Sequence, residues 1–107
     1  MKAKTKLKHK NFTFNVYGQD YDVIFQDNVY HPISGQECCG LCDPEVAKIY
    51  INNKMDKSLT TCTVLHELFH AYSRRMGMEN SGMSAELEEI LADQFGTLLE
   101  ENFDFTF

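Results

Sequence analysis

The amino-acid sequence predicts a small α+β domain in which an antiparallel sheet of about three strands packs on two helices. Three observations lead to this prediction. Apolar and polar residues alternate over residues 11–26 and again over 47–53, which is typical of half-buried strands. From about residue 58 the apolar residues recur at helical spacing instead. The chain has 107 residues, so residues 11–107 are expected to form a single domain.

The first half of the chain is expected to form strands joined by turns. Residues 11–17 and 21–26 alternate in polarity around a Gly-Gln-Asp segment with turn chemistry, which predicts a β-hairpin. Residues 27–44 contain both prolines, two glycines and three cysteines without clear periodicity, and predict a long loop. Residues 47–53 predict a third strand, which could pair with an extended peptide if it lies at the sheet edge.

Two helices are predicted in the second half. The first begins at about Ser58, carries the basic pair Arg74 and Arg75 in its last turn, and ends at Gly77. The second begins after Ser84, which can cap it, and continues to about residue 101. We expect the apolar stripe of this second helix to pack on the core: Leu87, Ile90, Leu91, Phe95 and Leu98.

Charge is distributed unevenly along the chain. Five of the ten basic residues are lysines within residues 1–10, whereas residues 11–107 carry five basic and sixteen acidic residues, a net charge of −11. An acidic body argues against a broad nucleic-acid surface. Residues 1–10 are expected to form a basic, flexible arm that aids solubility, and the alternative is that they bind an anionic partner.

Several features together predict a cytoplasmic protein. No apolar stretch follows the first lysines, as a signal peptide requires, and no apolar run reaches the length of about 18 residues needed to span a membrane. Three of the four cysteines (Cys38, Cys39 and Cys42) fall within five residues, a spacing that suits reduced thiols better than a secreted disulfide scaffold. Because no second cysteine or histidine pair follows at finger spacing, we do not expect a cysteine-built metal site.

The first predicted helix contains the motif His66-Glu67-Leu68-Phe69-His70. Histidines four residues apart project from successive turns of one helical face, so both imidazoles can reach one Zn²⁺, while Glu67 is rotated aside to act on a water molecule. H-E-x-x-H also occurs by chance, and two histidines can simply be hydrogen-bonded core residues. The surrounding residues are largely apolar and buried imidazoles need partners, so zinc ligation is the preferred interpretation.

A catalytic zinc site generally has three protein ligands, and no histidine follows His70. On the second helix, Glu89 shares a narrow stripe with Ala85, Ala92 and Gly96, small residues that would allow a close approach to the zinc helix. Asp93, one turn after Glu89, can accept a hydrogen bond from a ligating histidine. The alternative is that these acids form a solvated helix face, which is what we expect for Glu86, Glu88, Glu100 and Glu101.

These residues resemble the gluzincin zinc metallopeptidases, in particular the compact ImmA/IrrE-like group. The H-E-x-x-H motif is followed by Glu89-Ile-Leu-Ala-Asp93-Gln-Phe95, similar to the family pattern E-x-x-A-[ND]-x-F. Residues 40–43, which lead into 49–51, are also similar to small phage-borne members. The resemblance covers about residues 12–100 and implies a zincin-like fold, one Zn²⁺ on His66, His70 and Glu89, and hydrolysis of a peptide bond in a protein substrate with Glu67 as general base.

The residues leave some points open. Tyr30, His31, Tyr50 and Tyr72 are unranked candidates to donate to the oxyanion of the reaction. Cys62, one turn before the first histidine, is expected to line the site, with the alternative of a thiolate ligand or redox brake. The alternative function is a non-catalytic binding or inhibitor protein, from a phage or mobile element, that uses zinc as a structural staple. A third hypothesis is an adaptor that binds an anionic partner through the lysine arm.

Overall fold

The computed structural model of the chain describes residues 9–107, so most of the basic arm predicted for residues 1–10 lies outside the described residues. The predicted α+β class is confirmed. In chain order, the elements are β1 (Phe12–Val16), β2 (Gln19–Gln26), β3 (Gly40–Asp43), β4 (Lys48–Asn52), helix α1 (Lys57–Met76), a short 3₁₀ turn (Glu79–Ser81) and helix α2 (Ala85–Asn102).

The sheet has four strands in the order β1-β2-β4-β3, one strand more than predicted, and it is mixed rather than antiparallel. β1 and β2 form the predicted hairpin, with Tyr17 and Gly18 at positive φ in the two-residue turn. β3 lies within the segment that was predicted to be a loop. It has only four residues and pairs with a neighbour along one edge, so its sequence pattern is too short to be recognised as a strand. β3 is antiparallel to β4, which follows it in the chain, and β4 runs parallel to β2.

This arrangement changes which strand is available to a peptide. β4, the predicted third strand, lies between β2 and β3 and therefore has no free edge. The free edge on this side of the sheet belongs to β3, which also contacts α1. An extended peptide would therefore pair with β3 and not with the strand proposed from the sequence.

The core lies between the sheet and α1. Val23, Ile49 and Ile51 are fully buried on the sheet, and Val64 and Ala71 are fully buried on α1. The helix begins at its N-cap Asp56, which accepts a hydrogen bond from the backbone N–H of Leu59 at 2.8 Å, and ends at Gly77 in the left-handed conformation, as predicted. One helix therefore covers the inner face of the sheet.

α2 packs on α1 and does not reach the core as predicted. Its two buried residues are Ala92 and Gly96, the small residues expected at a close helix–helix contact. Because α1 already covers the sheet, α2 forms an outer layer and its large apolar side chains remain exposed. The residues wrongly predicted to be core are Leu87, Ile90, Leu91, Phe95 and Leu98.

The contact between α1 and α2 depends on Gly96. A Cβ at this position would lie 2.7 Å from the backbone oxygen of Cys62, and a backbone atom cannot move aside as a side chain can. We expect Gly96→Ala to lower the free energy of unfolding by about 1–3 kcal/mol, although alanine is intrinsically the better helix former. Chemical denaturation measures this, with the exposed Thr97→Ala as control; a stabilised Gly96→Ala would contradict the close contact.

The C-terminal residues 103–107 do not form a strand. Phe107 stacks on Phe12 with ring centroids 5.5 Å apart, and its backbone oxygen lies 2.7 Å from Nδ1 of His9. The tail therefore closes against β1 and the start of the described chain. Neither helix of the described residues has the length and apolar character needed to cross a membrane.

Candidate metal centre

α1 and α2 bring the three predicted ligands together. The Nε2 atoms of His66 and His70, on successive turns of α1, lie 3.0 Å apart. The carboxylate of Glu89 on α2 places Oε1 2.9 Å from Nε2 of His70 and Oε2 3.3 Å from Nε2 of His66. One ligand atom from each residue lies within 4.8 Å of the others, which is close enough for all three to bind one metal ion.

Carboxylates hold the far side of both imidazoles. Nδ1 of His66 lies 2.8 Å from Oδ1 of Asp93, the partner expected from the sequence. Nδ1 of His70 contacts Oε2 of Glu88, whose other oxygen accepts a hydrogen bond from Oγ of Ser73 at 2.8 Å. A carboxylate at each Nδ1 fixes the ring orientation, which is what the outer shell of a zinc site usually does.

The expectation that Glu88 is a solvated surface residue was wrong. Its side chain is only 21% exposed because it points at α1 and contacts His70. The sequence contained a signal that was missed: Glu88 lies four residues before Ala92 and eight before Gly96, on the same face of α2 that packs on α1. Glu88 thus flanks the stripe of small residues on one side, and Glu89 flanks it on the other.

The chemistry of these groups fits a divalent cation. Ionised carboxylates only accept hydrogen bonds, so Asp93 and Glu88 place the imidazole protons on Nδ1 and leave the Nε2 lone pairs of His66 and His70 free. These two lone pairs and the negative carboxylate of Glu89 face one another, an arrangement that a cation stabilises. Tetrahedral zinc ligands at about 2.1 Å from the metal lie about 3.4 Å apart, and the pairwise contacts of these side chains, 2.9, 3.0 and 3.3 Å with a different Glu89 oxygen for each histidine, are slightly shorter.

Removal of the Glu88 carboxylate should weaken metal binding without removing a ligand. We expect Glu88→Ala to lower zinc affinity by about 10- to 100-fold, because His70 loses the acceptor that fixes its orientation. Competition with a chromogenic chelator measures this. Glu86→Ala, an exposed acid on the same helix turn, is the control and should leave the affinity unchanged; equal affinity in both variants would show that Glu88 does not support the centre.

Glu67 lies beside the centre and outside the group of three ligands. Its side chain is 10% exposed, with Oε2 3.9 Å from Nε2 of His66, and it accepts a hydrogen bond from the backbone N–H of Cys42 on β3. Burial raises the pKa of Glu67 to about 7; His66 opposes this rise and Glu89 adds to it. The predicted general base is therefore positioned between the ligands and the edge strand.

A cleft runs along the edge of β3 on both sides of the centre. On one side a cavity of about 450 Å³ is lined by Leu41, Pro44 and Arg74, among others. On the other side a cavity of about 280 Å³ is lined by residues that include Leu59 and Cys62. Gly40, His66 and Glu67 line both cavities, so the two are parts of one cleft that meet at these residues, and the other two candidate ligands, His70 and Glu89, line the larger part.

The close approach of β3 to α1 requires Gly40. A Cβ there would lie 2.7 Å from Cγ2 of Thr63 and 3.0 Å from Cγ of Glu67. A larger residue would displace Glu67 or separate the strand from the helix. This glycine therefore allows the edge strand to lie directly over Glu67.

Of the candidate oxyanion donors, the structure places His31 in the cleft wall. Its Nδ1 accepts hydrogen bonds from the backbone N–H groups of Ile33 and Ser34, which leaves the ring proton on Nε2 as a donor. Tyr72 lines an apolar groove elsewhere on α1, away from the metal ligands. Neither Tyr30, an exposed loop residue, nor Tyr50 on β4 lines the cleft.

The cysteines are not part of the metal-ligand group found in the described residues. Cys62 lines the smaller half of the cleft, as expected, and its backbone packs against Gly96. Burial raises the pKa of the Cys62 thiol, and nearby Glu100 adds to the rise. The pKa of Cys42 rises to about 12, mainly through burial and then through Glu67, so this thiol stays protonated.

Comparison of the chain with protein-family models, curated proteins and solved structures found no match. The centre is therefore interpreted from its own geometry. The resemblance to ImmA/IrrE-like peptidases therefore stays a prediction from the motifs around His66 and Glu89.

Proposed function

We propose that this protein is a zinc-dependent metallopeptidase of minimal gluzincin type that hydrolyses a peptide bond in a protein substrate. The observation that carries the proposal is the combination of three converging metal ligands with a separate buried carboxylate, Glu67, in an open cleft. A structural site has no need of such a carboxylate. Because the metal ligands are two histidines and a glutamate, they favour Zn²⁺ over the oxygen-seeking Ca²⁺ and Mg²⁺.

His66, His70 and Glu89 would hold the zinc ion, and three ligands leave a coordination position open for chemistry. Zinc bound there would lower the pKa of a water molecule and polarise the scissile carbonyl. Glu67 takes a proton from the attacking water as its oxygen bonds to the carbonyl carbon, and gives the proton to the leaving amine as the C–N bond breaks. His31 is the cleft residue best suited to donate to the developing oxyanion.

The cleft supports an extended polypeptide as substrate. β3 has a free edge beside the centre, so a substrate strand can form backbone hydrogen bonds with it. Space on both sides of His66 and Glu67 accommodates residues before and after the scissile bond, which favours cleavage within a chain over removal of a terminal residue. A cytoplasmic regulator is the kind of substrate that the motif resemblance suggests.

The alternative function is a non-catalytic binding or inhibitor protein stapled by zinc. One observation favours it: α2 is held mainly by α1, and the proposed metal ligands come from both helices. A metal ion would therefore join the outer helix to the core and contribute to folding. The buried Glu67 beside the ligands is the observation against it.

Metal removal separates the two functions. We expect the zinc-loaded protein to cleave an unstructured protein such as casein, the chelator-treated protein to be inactive, and added zinc to restore cleavage. Cleavage is followed by mass spectrometry and the fold by circular dichroism. Two results together would support the zinc-stapled binding protein and contradict the peptidase. The zinc-loaded protein would cleave neither casein nor a mixed peptide library, and removal of zinc by a chelator would lower its melting temperature.

A further inference from the structure

One face of α2 is apolar and exposed. It consists of Leu87, Leu91, Phe95 and Leu98, which recur at helical spacing and are 37–62% exposed. We call these four residues the α2 face. Phe95, at the edge of this face, contacts Phe69 of α1 with ring centroids 5.5 Å apart, but the buried contact of α2 with α1 is through the opposite, small-residue side. Large apolar side chains aligned on one helix commonly mark an interaction site.

The α2 face is continuous with an apolar groove. Phe95 lines this groove, a cavity of about 550 Å³ between β1, the two helices and the C-terminal tail, together with Phe14, Phe69 and Leu99. Its walls are mostly apolar, so it can accept a large apolar side chain. A helix lying along the α2 face could insert such an anchor into the groove, as in helix-in-groove recognition.

The charges beside the α2 face limit what can bind. α2 carries six acidic residues and no basic one, and three of the six, Glu88, Glu89 and Asp93, lie at the candidate metal centre on the side that faces α1. Glu100 and Glu101 lie at its C-terminal end, where the helix dipole is already negative, so they do not stabilise the helix itself. Glu86 and Glu101 are both exposed. A second copy of this chain would bring two such acidic helices together, which repulsion disfavours.

We propose that the α2 face and its groove form a docking surface for an amphipathic helix of a partner protein whose apolar side is flanked by lysine or arginine. The apolar side of that helix would cover the four α2 side chains, and basic residues along one of its edges would meet Glu86 and Glu101, which lie on the same side of α2. This surface is separate from the metal centre, so the proposal does not depend on peptidase activity.

The test uses the full chain and two designed helical peptides. Both peptides have leucine along one side of the helix; the opposite side carries lysine in the first peptide and glutamate in the second. Fluorescence anisotropy at physiological salt measures binding. We expect the lysine peptide to bind and the glutamate peptide not to bind. The double substitution Leu91→Ser and Leu98→Ser should weaken binding at least about tenfold, and Glu101→Lys should weaken it and reduce its salt dependence.

Matched controls distinguish this surface from general stickiness. Ile33→Ser removes an even more exposed apolar residue elsewhere, and Glu45→Lys changes an exposed charge elsewhere; neither should alter binding. Lysine-peptide binding that survives the double leucine substitution would overturn the proposal, as would equal binding of the two peptides. A dimer seen by light scattering and abolished by the leucine substitutions would also overturn it, since the occupant would then be a second copy.

Discussion

Glu67→Gln should slow peptide hydrolysis by orders of magnitude while leaving the zinc content and the fold unchanged. Glutamine keeps the size of the side chain, so it can still accept the hydrogen bond from the Cys42 backbone, but it cannot take a proton from water. General acid–base catalysis typically contributes about 10²- to 10⁴-fold, so we expect the hydrolysis rate to fall by that factor. Product formation under single-turnover conditions measures it.

The control for this experiment is Glu86→Gln, the same chemical change at an exposed position of α2. It should keep full activity. Glu67→Gln with normal activity would contradict the general-base role and favour the zinc-stapled binding protein. A Glu67→Gln protein that has lost its metal would instead show that Glu67 supports the ligands, which the 3.9 Å separation from His66 does not predict.

His70→Ala and Glu89→Ala should each largely abolish zinc binding. Structural zinc sites in zinc-finger peptides gain about 10–16 kcal/mol from four ligands, so the loss of one ligand should cost about 3 kcal/mol, or about a hundredfold in affinity. Elemental analysis after dialysis should find one zinc per chain in the wild type and much less in both variants. Their melting temperatures should also fall towards that of the chelated wild type.

Two further variants make this result specific. His9→Ala removes a histidine that contacts Phe107, and Glu86→Ala removes an exposed acid from α2; both should keep one zinc. Zinc retained in Glu89→Ala would contradict the third ligand and point to Glu88 or Asp93, the other acids of α2 that contact the histidines. A wild type that takes up no zinc would remove the basis of the peptidase proposal.

Local patterns in the sequence were enough to predict the parts of the centre that depend on a single helix. His66, Glu67 and His70 lie in one helix, whose period places the histidines on one face irrespective of tertiary packing. Glu89 and Asp93 were predictable because Ala92 and Gly96 mark the side of α2 that approaches α1 closely. The hairpin, the helix caps and the α+β class followed in the same way from turn and capping chemistry.

The remaining features depend on which surfaces meet, and tertiary structure alone decided them. β3 is a strand because β4 pairs with it, and β4 lost its predicted edge position for the same reason. The apolar side of α2 matched the pattern of a core helix, but α1 already covers the sheet, so that side is exposed. Glu88 looked like its solvated neighbours until packing brought His70 within reach, since periodicity describes faces of an element but does not determine what each face contacts.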